Sequence, residues 1–213
     1  MDSKDLEVAI KDFYDELTEK KQDYLILFSK LQIQIEGWFR GEVFNYLQGK
    51  TIQGTKINMT TENREAKISN DDKRKVDIKI KLNNEWYWIE LKHILVGYQK
   101  DSPFPLSFYF YKDTYIYSDI KKLTSIDNTD KKQHLYSLVF ISTNYLRESD
   151  KKSTMDEINS MNDLKEQFTS IITKHKDIRD KILDKMSLVS FDYVNNLHFG
   201  YMLLEVKNSK GEL

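Results

Sequence analysis

The sequence of 213 residues contains no cysteine. Disulfide bonds, thiolate metal sites and a cysteine nucleophile are therefore excluded. Only two prolines and seven glycines are present, and no glycine-rich phosphate-binding motif occurs. No stretch approaches the roughly 20 apolar residues of a membrane span, and the N-terminus lacks the apolar run of a secretory signal. We therefore expect a cytoplasmic protein that does not act at a membrane.

Neither sign of charge predominates. The chain has 33 basic and 34 acidic residues, which gives a net charge of -1. Overall charge therefore predicts no nucleic-acid or membrane affinity, and any electropositive groove has to be local. Hydrophobic residues make up 39% of the chain and charged residues 31%. These values are typical of an ordinary globular chain, and the length predicts a single domain over residues 1–213 with a substantial core.

The spacing of apolar residues predicts a mixed α/β or α+β domain. Helical spacing covers residues 4–20, 24–47, 119–126 (with Ser118 as N-cap) and 154–186, with a break near 174–176. Strand patterns cover residues 51–61, 74–98, 135–142, 188–194 and 198–206, and residues 62–73 are predicted to be a loop. The continuous apolar run at 135–142 is typical of a strand that is covered on both faces. This order of elements predicts a central mixed sheet flanked by helices.

Residues 74–98 read as two strands joined by a turn at Asn83 and Asn84. Asparagine tolerates the positive φ that a two-residue hairpin loop requires. The predicted pairs are then 82 with 85, 80 with 87, 78 with 89 and 77 with 90. Because side chains alternate between faces, one face of the hairpin is a core face. That face carries Val76, Ile78, Ile80, Tyr87, Ile89 and Leu91.

The other face of the hairpin carries Asp77 opposite Glu90, with Lys92 one step further along. Facing carboxylates repel each other and are disfavoured in a sheet. A divalent cation accounts for the pair, because Mg²⁺ prefers carboxylate oxygens and keeps several waters. The carbonyl of Leu91 would add a third oxygen. Lys92 is placed to orient or deprotonate an activated water, or to neutralise charge on a phosphoryl group. The expected cofactor is Mg²⁺, with Mn²⁺ as a substitute.

A second stretch of the chain has the same spacing. Asp192 precedes Glu205-Val-Lys207 and also flanks an Asn-Asn turn. Here, however, the aspartate lies three residues from its turn and the glutamate nine. Asp192 would face Phe199 instead of an acid. Only the pair in the first hairpin is therefore predicted to converge.

The arrangement at residues 31–142 resembles the PD-(D/E)XK nuclease superfamily, which has the restriction-endonuclease-like fold. Val76-Asp77 matches the Asp position, Glu90-Leu91-Lys92 the Glu-x-Lys motif, Asp119–Leu123 the start of the crossover helix, and Leu135–Ser142 the following buried strand. No proline precedes the aspartate, and Ile94 stands where many relatives have a glutamine. Residues 150–208 would be a C-terminal elaboration, with an extra helix and a β-hairpin.

The resemblance implies a Mg²⁺-dependent nuclease that hydrolyses phosphodiester bonds. It assigns catalysis to Asp77, Glu90 and Lys92, and it adds an acidic residue of the N-terminal helix. We place Glu42 in that role, as a catalytic residue and further metal ligand, with Glu36 in reserve. The resemblance alone favours DNA over RNA, and it is compatible with restriction or phage defence. A homodimer or a partner protein that delivers the nucleic acid is left open.

Simpler interpretations compete with this one. Asp77 and Glu90 would then lie on a solvated sheet face, each paired with a nearby lysine. A second alternative keeps the fold and loses the activity, as a binding or assembly module. His93 is expected to be a buried, hydrogen-bonded histidine. Lys121 and Lys122 fit either a phosphate contact or a solvated helix face, and the aromatic segment 104–117 fits packing better than base stacking.

Overall fold

The structure of this chain is a computed structural model. It describes residues 3–52, 54–60, 64–67, 75–99, 102–111, 115–126, 133–144, 157–158, 160–183, 191–192 and 197–207. The helices are α1 (Ser3–Lys30), α2 (Glu36–Leu47), α3 (Tyr115–Thr124), α4 (Met161–Lys174), α5 (Lys176–Arg179) and a 3₁₀ helix (Leu106–Phe110). The strands are β1 (Thr51–Ile52), β2 (Thr55–Lys56), β3 (Arg64–Lys67), β4 (Lys75–Leu82), β5 (Glu85–Gln99), β6 (Ser102–Phe104), β7 (Gln133–Asn144), β8 (Ile182–Leu183), β9 (Phe191–Asp192) and β10 (His198–Val206).

One mixed sheet organises the fold. Its strand order is β3-β4-β5-β7-β10-β8, with β6 paired to β5 and β9 paired to β10. β5 and β7 run parallel, and the other neighbours are antiparallel. Parallel strands need a crossover connection, which here contains the 3₁₀ helix and α3. β1 and β2 form a separate two-stranded sheet. The predicted mixed α/β class, with helices around a central mixed sheet, is confirmed.

Helices cover both faces of the sheet. α1 and α2 pack on one face through residues such as Phe13, Phe39 and Val43. The 3₁₀ helix, α3, α4 and α5 pack on the other, through residues such as Phe110 and Ile120. Because β7 has a helical layer on each side, ten consecutive residues of this strand are buried, which explains the continuous apolar run in the sequence.

The turn between β4 and β5 has the predicted geometry. Asn83 and Asn84 adopt φ values of 46° and 68°, as a tight hairpin turn with two positive φ angles requires. The strands pair from Leu82–Glu85 to Ile78–Ile89, in the predicted register. The turn chemistry therefore fixes which side chains of the two strands lie opposite each other.

The helix boundaries differ from the prediction in several places. The predicted helix 154–186 is wrong at residues 157–158 and 160, which precede α4, and at Ile182–Leu183, which form β8. α1 continues past residue 20 through a kink at Lys21, and the chain then breaks between α1 and α2. Gln32, with a φ of 53°, lies in that break. Ser118 is not an N-cap, since α3 begins at Tyr115. The predicted break in the C-terminal helix is confirmed at His175, whereas the prediction for residues 154–156, 159 and 184–186 lies outside the described residues.

The strands near residue 60 also differ from the prediction. Instead of one strand over 51–61, the chain forms the short β1 and β2, and β3 lies within the predicted loop 62–73. The rest of that loop, residues 62–63 and 68–73, lies outside the described residues. β3 pairs with β4 and extends the sheet beyond the hairpin.

The C-terminal strand is not an appendage. β10 pairs with β7 along its length and is almost entirely buried, so it is an inner strand of the sheet. Asp192 pairs with His198 instead of Phe199, one residue off the predicted register. Glu205 lies opposite Tyr136 and Leu183, far from Asp192 along the strand. No helix among the described residues has the length and apolar character needed to cross a membrane.

Candidate active site

β4 and β5 separate at Asp77. The backbone pairing recorded between the two strands ends at Ile78–Ile89, one step before the predicted Asp77–Glu90 pair. Asp77 Oδ2 instead accepts a hydrogen bond from the backbone N–H of Leu91 at 2.9 Å. A side-chain oxygen thus takes the place of a backbone acceptor, and the strands separate. The gap between β4 and β5 beyond the Ile78–Ile89 pair is called the fork below. Strict alternation also fails here, because Val76 packs on the α3 face whereas Ile78 packs on the α2 face. The predicted core face is therefore wrong for Val76.

Glu90 lies buried at this fork with only part of its charge compensated. Its Oε1 is ion-paired with Lys122 of α3. Its Oε2 is buried and has no hydrogen-bond partner among the described residues. Burial raises the pKa of Glu90 to about 8, and the negative charges of Asp77 and Asp119 contribute further, against the opposing effect of Lys122. The surroundings of Glu90 therefore disfavour its charged form.

The cation that pairs with Asp77 comes from α2, on the other face of the sheet from the α3 lysine that pairs with Glu90. Arg40 of α2 donates from Nη1 to Asp77 Oδ1 at 2.8 Å. With Oδ2 engaged by the N–H of Leu91, both oxygens of this carboxylate are oriented. Arg40 was not predicted as a site residue. Its position four residues after Glu36, on the same side of a helix, is the sequence signal that links them.

Lys92 is held between two acids from different helices. Its Nζ lies 3.0 Å from Oε2 of Glu36 on α2 and 3.6 Å from Oδ2 of Asp119 on α3. Burial by itself lowers the pKa of Lys92, but Asp119 and then Glu36 outweigh it, and the net shift is upward. Lys92 is therefore a stable ammonium ion in this arrangement. It is suited to orient or neutralise an anion, and it is not suited to take up a proton.

Asp119 is the acid that sequence reasoning missed. It is buried, and burial raises its pKa to about 6 against the opposing effects of Lys92 and Lys122. The sequence does carry a signal for it. Asp119 follows Ile116 by three residues and precedes Leu123 by four, so it lies within the apolar stripe of α3. An aspartate in such a stripe is unusual and points to a buried polar role.

The helix acid at the site is Glu36, and the prediction of Glu42 is corrected. The Oε1 of Glu42 lies 3.8 Å from Lys21 Nζ, beside a small cavity between α1 and α2. The reason lies in the break before α2, which starts a new helix at Glu36 and places its first turn against β5. Glu42 therefore holds neither the predicted catalytic position nor a metal-ligand position in this arrangement.

His93 fixes the start of α2. Its Nδ1 accepts the backbone N–H of Ile35, the N-cap residue of α2, at 3.1 Å. Nε2 therefore carries the proton and donates to Ser142 Oγ at 2.9 Å. Burial lowers the pKa of His93 to about 3, so the ring is neutral. The predicted buried, hydrogen-bonded histidine is confirmed, and it anchors the helix turn that carries Glu36.

The solvated-face interpretation is wrong for this site. Counted over the whole residue, Asp77 is 7% exposed and Glu90 is 5% exposed. Their cations come from α2 and α3, not from neighbouring strand lysines. Lys79 instead lies over the rings of Trp86 and Trp88, at 4.2 and 4.1 Å from their centroids. The aromatic segment before α3 contributes to packing, since its residues Leu106, Tyr109 and Phe110 are buried in the core.

The residues at the fork fit a hard divalent cation. Two carboxylates converge there, and one buried Glu90 oxygen lacks a hydrogen-bond partner in the described part of the chain. The N–H and C=O of a strand residue point to the same side, so the Leu91 carbonyl faces the same gap as its N–H. Among the described residues, no three His, Cys, Asp or Glu side chains are placed to hold one metal together. Mg²⁺ commonly uses one or two carboxylates and completes its shell with water.

Comparisons with protein-family models, curated proteins and solved structures found no match to this chain. The geometry of the fork is therefore the basis for a functional assignment. Its chemistry is that of a buried acid pair with an adjacent ammonium group, at the end of a hairpin.

Proposed function

We propose that this protein is a Mg²⁺-dependent nuclease that hydrolyses phosphodiester bonds in DNA. One observation carries the proposal. The buried carboxylate of Glu90, with one oxygen left without a hydrogen-bond partner in the described residues, lies beside Asp77 and on the same strand as the ammonium group of Lys92. The order of elements around this fork is the one that resembles the PD-(D/E)XK superfamily.

Asp77, Glu90 and the carbonyl of Leu91 are the groups that would hold Mg²⁺. The chemistry that a bound Mg²⁺ supplies is Lewis-acid activation of water and neutralisation of phosphate charge. The protein contributes the orientation of these groups. The N–H of Leu91 and the guanidinium group of Arg40 fix the Asp77 carboxylate, and the separation of β4 and β5 exposes it to the gap.

Lys92 provides a positive charge beside the scissile phosphate. Its raised pKa keeps it protonated, so its role is to orient the nucleophile or to offset the negative charge that develops in the transition state. Glu36 and Asp119 hold the ammonium group from two sides. These two acids therefore act as positioning residues for Lys92.

The substrate and setting follow from weaker support. DNA as the substrate, and a role in restriction or phage defence, rest on the resemblance alone. The near-neutral net charge predicts modest affinity for nucleic acid outside the site. It is compatible with a homodimer or with a partner that delivers the DNA.

A cleavage assay tests the proposal. Supercoiled and linear DNA are incubated with the protein in Mg²⁺, in Mn²⁺ and in chelator. We expect nicking or cutting only with a divalent cation, and losses of about 100-fold or more for Asp77→Ala and Lys92→Ala. Glu42→Ala is the matched control on α2 and should keep wild-type activity, whereas Glu36→Ala should lose about tenfold because Lys92 is less well held.

Equal background cleavage by the wild type, Asp77→Ala and Lys92→Ala would overturn the nuclease proposal. The second candidate is then a binding or assembly module. The observation that favours it is the pairing of each of the three site cations with an acid, Arg40–Asp77, Lys122–Glu90 and Lys92–Glu36. A module of this kind would bind DNA or a protein partner without any requirement for a divalent cation.

A further inference from the structure

Each of the two central acids is ion-paired with a cation that is more exposed than the acid itself. The side chains of Asp77 and Glu90 are 9% and 6% exposed, whereas those of Arg40 and Lys122 are 23% and 19% exposed. Arg40 belongs to α2 and Lys122 to α3, and these helices lie on opposite faces of the sheet. The two cations are therefore more accessible to an anion in solution than the acids are, and one cation comes from each face of the sheet.

We propose that Arg40 and Lys122 are phosphate-binding residues that pair with Asp77 and Glu90 only while no divalent cation is bound, and that move to a nucleic-acid phosphate when one is. The inference rests on the proposed function and adds the residues that recognise the substrate. It assigns to these two side chains a role that neither the motif nor its spacing contains.

The charges at the fork support an exchange. The groups involved are the acids Glu36, Asp77, Glu90 and Asp119 and the bases Arg40, Lys92 and Lys122. In the metal-bound state, with all seven groups counted as ionised, these side chains together carry one net negative charge. A bound divalent cation turns this into one positive charge in excess, which matches the single charge of a phosphodiester group. The cations that the acids no longer need are then available to that phosphate.

The two side chains suit a phosphate. A guanidinium group binds phosphate oxygens in a bidentate manner, and a lysine ammonium acts as a mobile point charge. Lys122 Nζ also donates to the backbone carbonyl of Lys75 at 3.0 Å. That bond anchors the ammonium group at the mouth of the fork while it exchanges one oxygen partner for another.

A purely structural pair would leave a different pattern. A buried acid that serves stability has its oxygens satisfied, because an unpaired buried oxygen is costly. Lys122 satisfies Oε1 of Glu90 and leaves Oε2 without a hydrogen bond among the described residues. The ion pair with Lys122 therefore leaves one Glu90 oxygen without a donor in the described residues, and a divalent cation would occupy that position.

Two binding measurements on Lys122→Met test the exchange. Mn²⁺ affinity is measured from the electron paramagnetic resonance signal of free Mn²⁺, and DNA affinity from the anisotropy of a labelled short duplex in Ca²⁺. We expect Mn²⁺ to bind about tenfold more tightly, because a competing cation is gone, and the duplex to bind about tenfold more weakly. Arg40→Met should shift both affinities in the same directions.

Lys121→Met is the matched control, since Lys121 is the exposed neighbour of Lys122 on α3. It should change neither affinity, and Lys122→Arg should restore both. Folding of each variant is checked by circular dichroism. If Lys122→Met weakens both ligands, or resembles Lys121→Met in either measurement, the exchange is wrong. If Lys122→Met binds Mn²⁺ more tightly as expected but the wild type neither binds nor cuts DNA, the proposed function is overturned, and the phosphate assignment with it.

Discussion

Two glutamates of β5, five residues apart, have opposite electrostatic surroundings. Glu85, at the turn end of the hairpin, pairs through Oε2 with His134 Nε2 at 2.9 Å, and this hydrogen bond lowers its pKa to about 2. Glu90, at the fork end, lies deeper, and burial together with Asp77 and Asp119 raises its pKa to about 8. One strand thus carries one acid that is stabilised as an anion and one that is destabilised as an anion.

The contrast supports assigning Glu85 to the stability of the fold and Glu90 to the proposed metal site. Glu85 accepts hydrogen bonds from His134 and Tyr87, so ionisation there stabilises the native state. Glu90 keeps an oxygen without a hydrogen bond in the described residues and lies near two other acids. Such surroundings cost stability, and acids with perturbed pKa values cluster at functional sites. The proposed cation is what would relieve this cost.

The largest expected difference between the two acids is in activity. Glu90→Gln should lower DNA cleavage in Mg²⁺ by about 100-fold or more, because it removes a charged ligand from the site. Glu85→Gln makes the same chemical change on the same strand and should leave cleavage within about twofold of wild type. Initial rates on plasmid DNA measure both. Comparable losses in the two variants would mean that the fork has no special role.

A smaller and opposite difference is expected in stability. In chelator at pH 7, Glu90→Gln should raise the free energy of unfolding by about 1–2 kcal/mol. The pKa of Glu90 rises from 4.5 to about 8 on folding, so the wild type must take up a proton there at pH 7, whereas glutamine needs none. Glu85→Gln should lower it by about 1 kcal/mol, through loss of the charge-assisted hydrogen bond to His134. Urea unfolding followed by circular dichroism measures both changes.

The pH dependence sharpens the stability comparison. The pKa of Glu85 is lowered from 4.5 to about 2 on folding, so its stabilisation is present above pH 4.5 and is lost as the pH falls through 2. The difference between the wild type and Glu85→Gln should therefore shrink on going from pH 7 to pH 3. A difference that stays constant over this range would show that Glu85 is not held as an anion by the fold.

The turn and the core register of this hairpin could be predicted because both are local. Asn83 and Asn84 favour positive φ, and two-residue loops admit few registers. From that register, alternation placed Asp77 near Glu90 and dismissed Glu205, which the structure puts opposite Tyr136. The failure at Val76 has a local cause too, since the side chain of Asp77 takes the N–H of Leu91 and ends the regular pairing.

The rest of the site depends on contacts that local patterns do not contain. Glu36 and Glu42 lie on one short helix, and the choice between them depends on how α2 docks, which His93 controls from 58 residues away through Ile35. Asp119 and Lys122 reach the fork only because the crossover places α3 over β5. The inner position of β10 likewise results from pairing with the distant strand β7.

Calorimetric titration with Mg²⁺ tests most directly whether Glu90 is kept under-compensated for a cation. The wild type and Glu85→Gln should bind Mg²⁺ with the same stoichiometry and affinity, and Glu90→Gln should bind it at least about tenfold more weakly. Equal Mg²⁺ binding by Glu90→Gln and the wild type, or no binding by the wild type, would contradict the account.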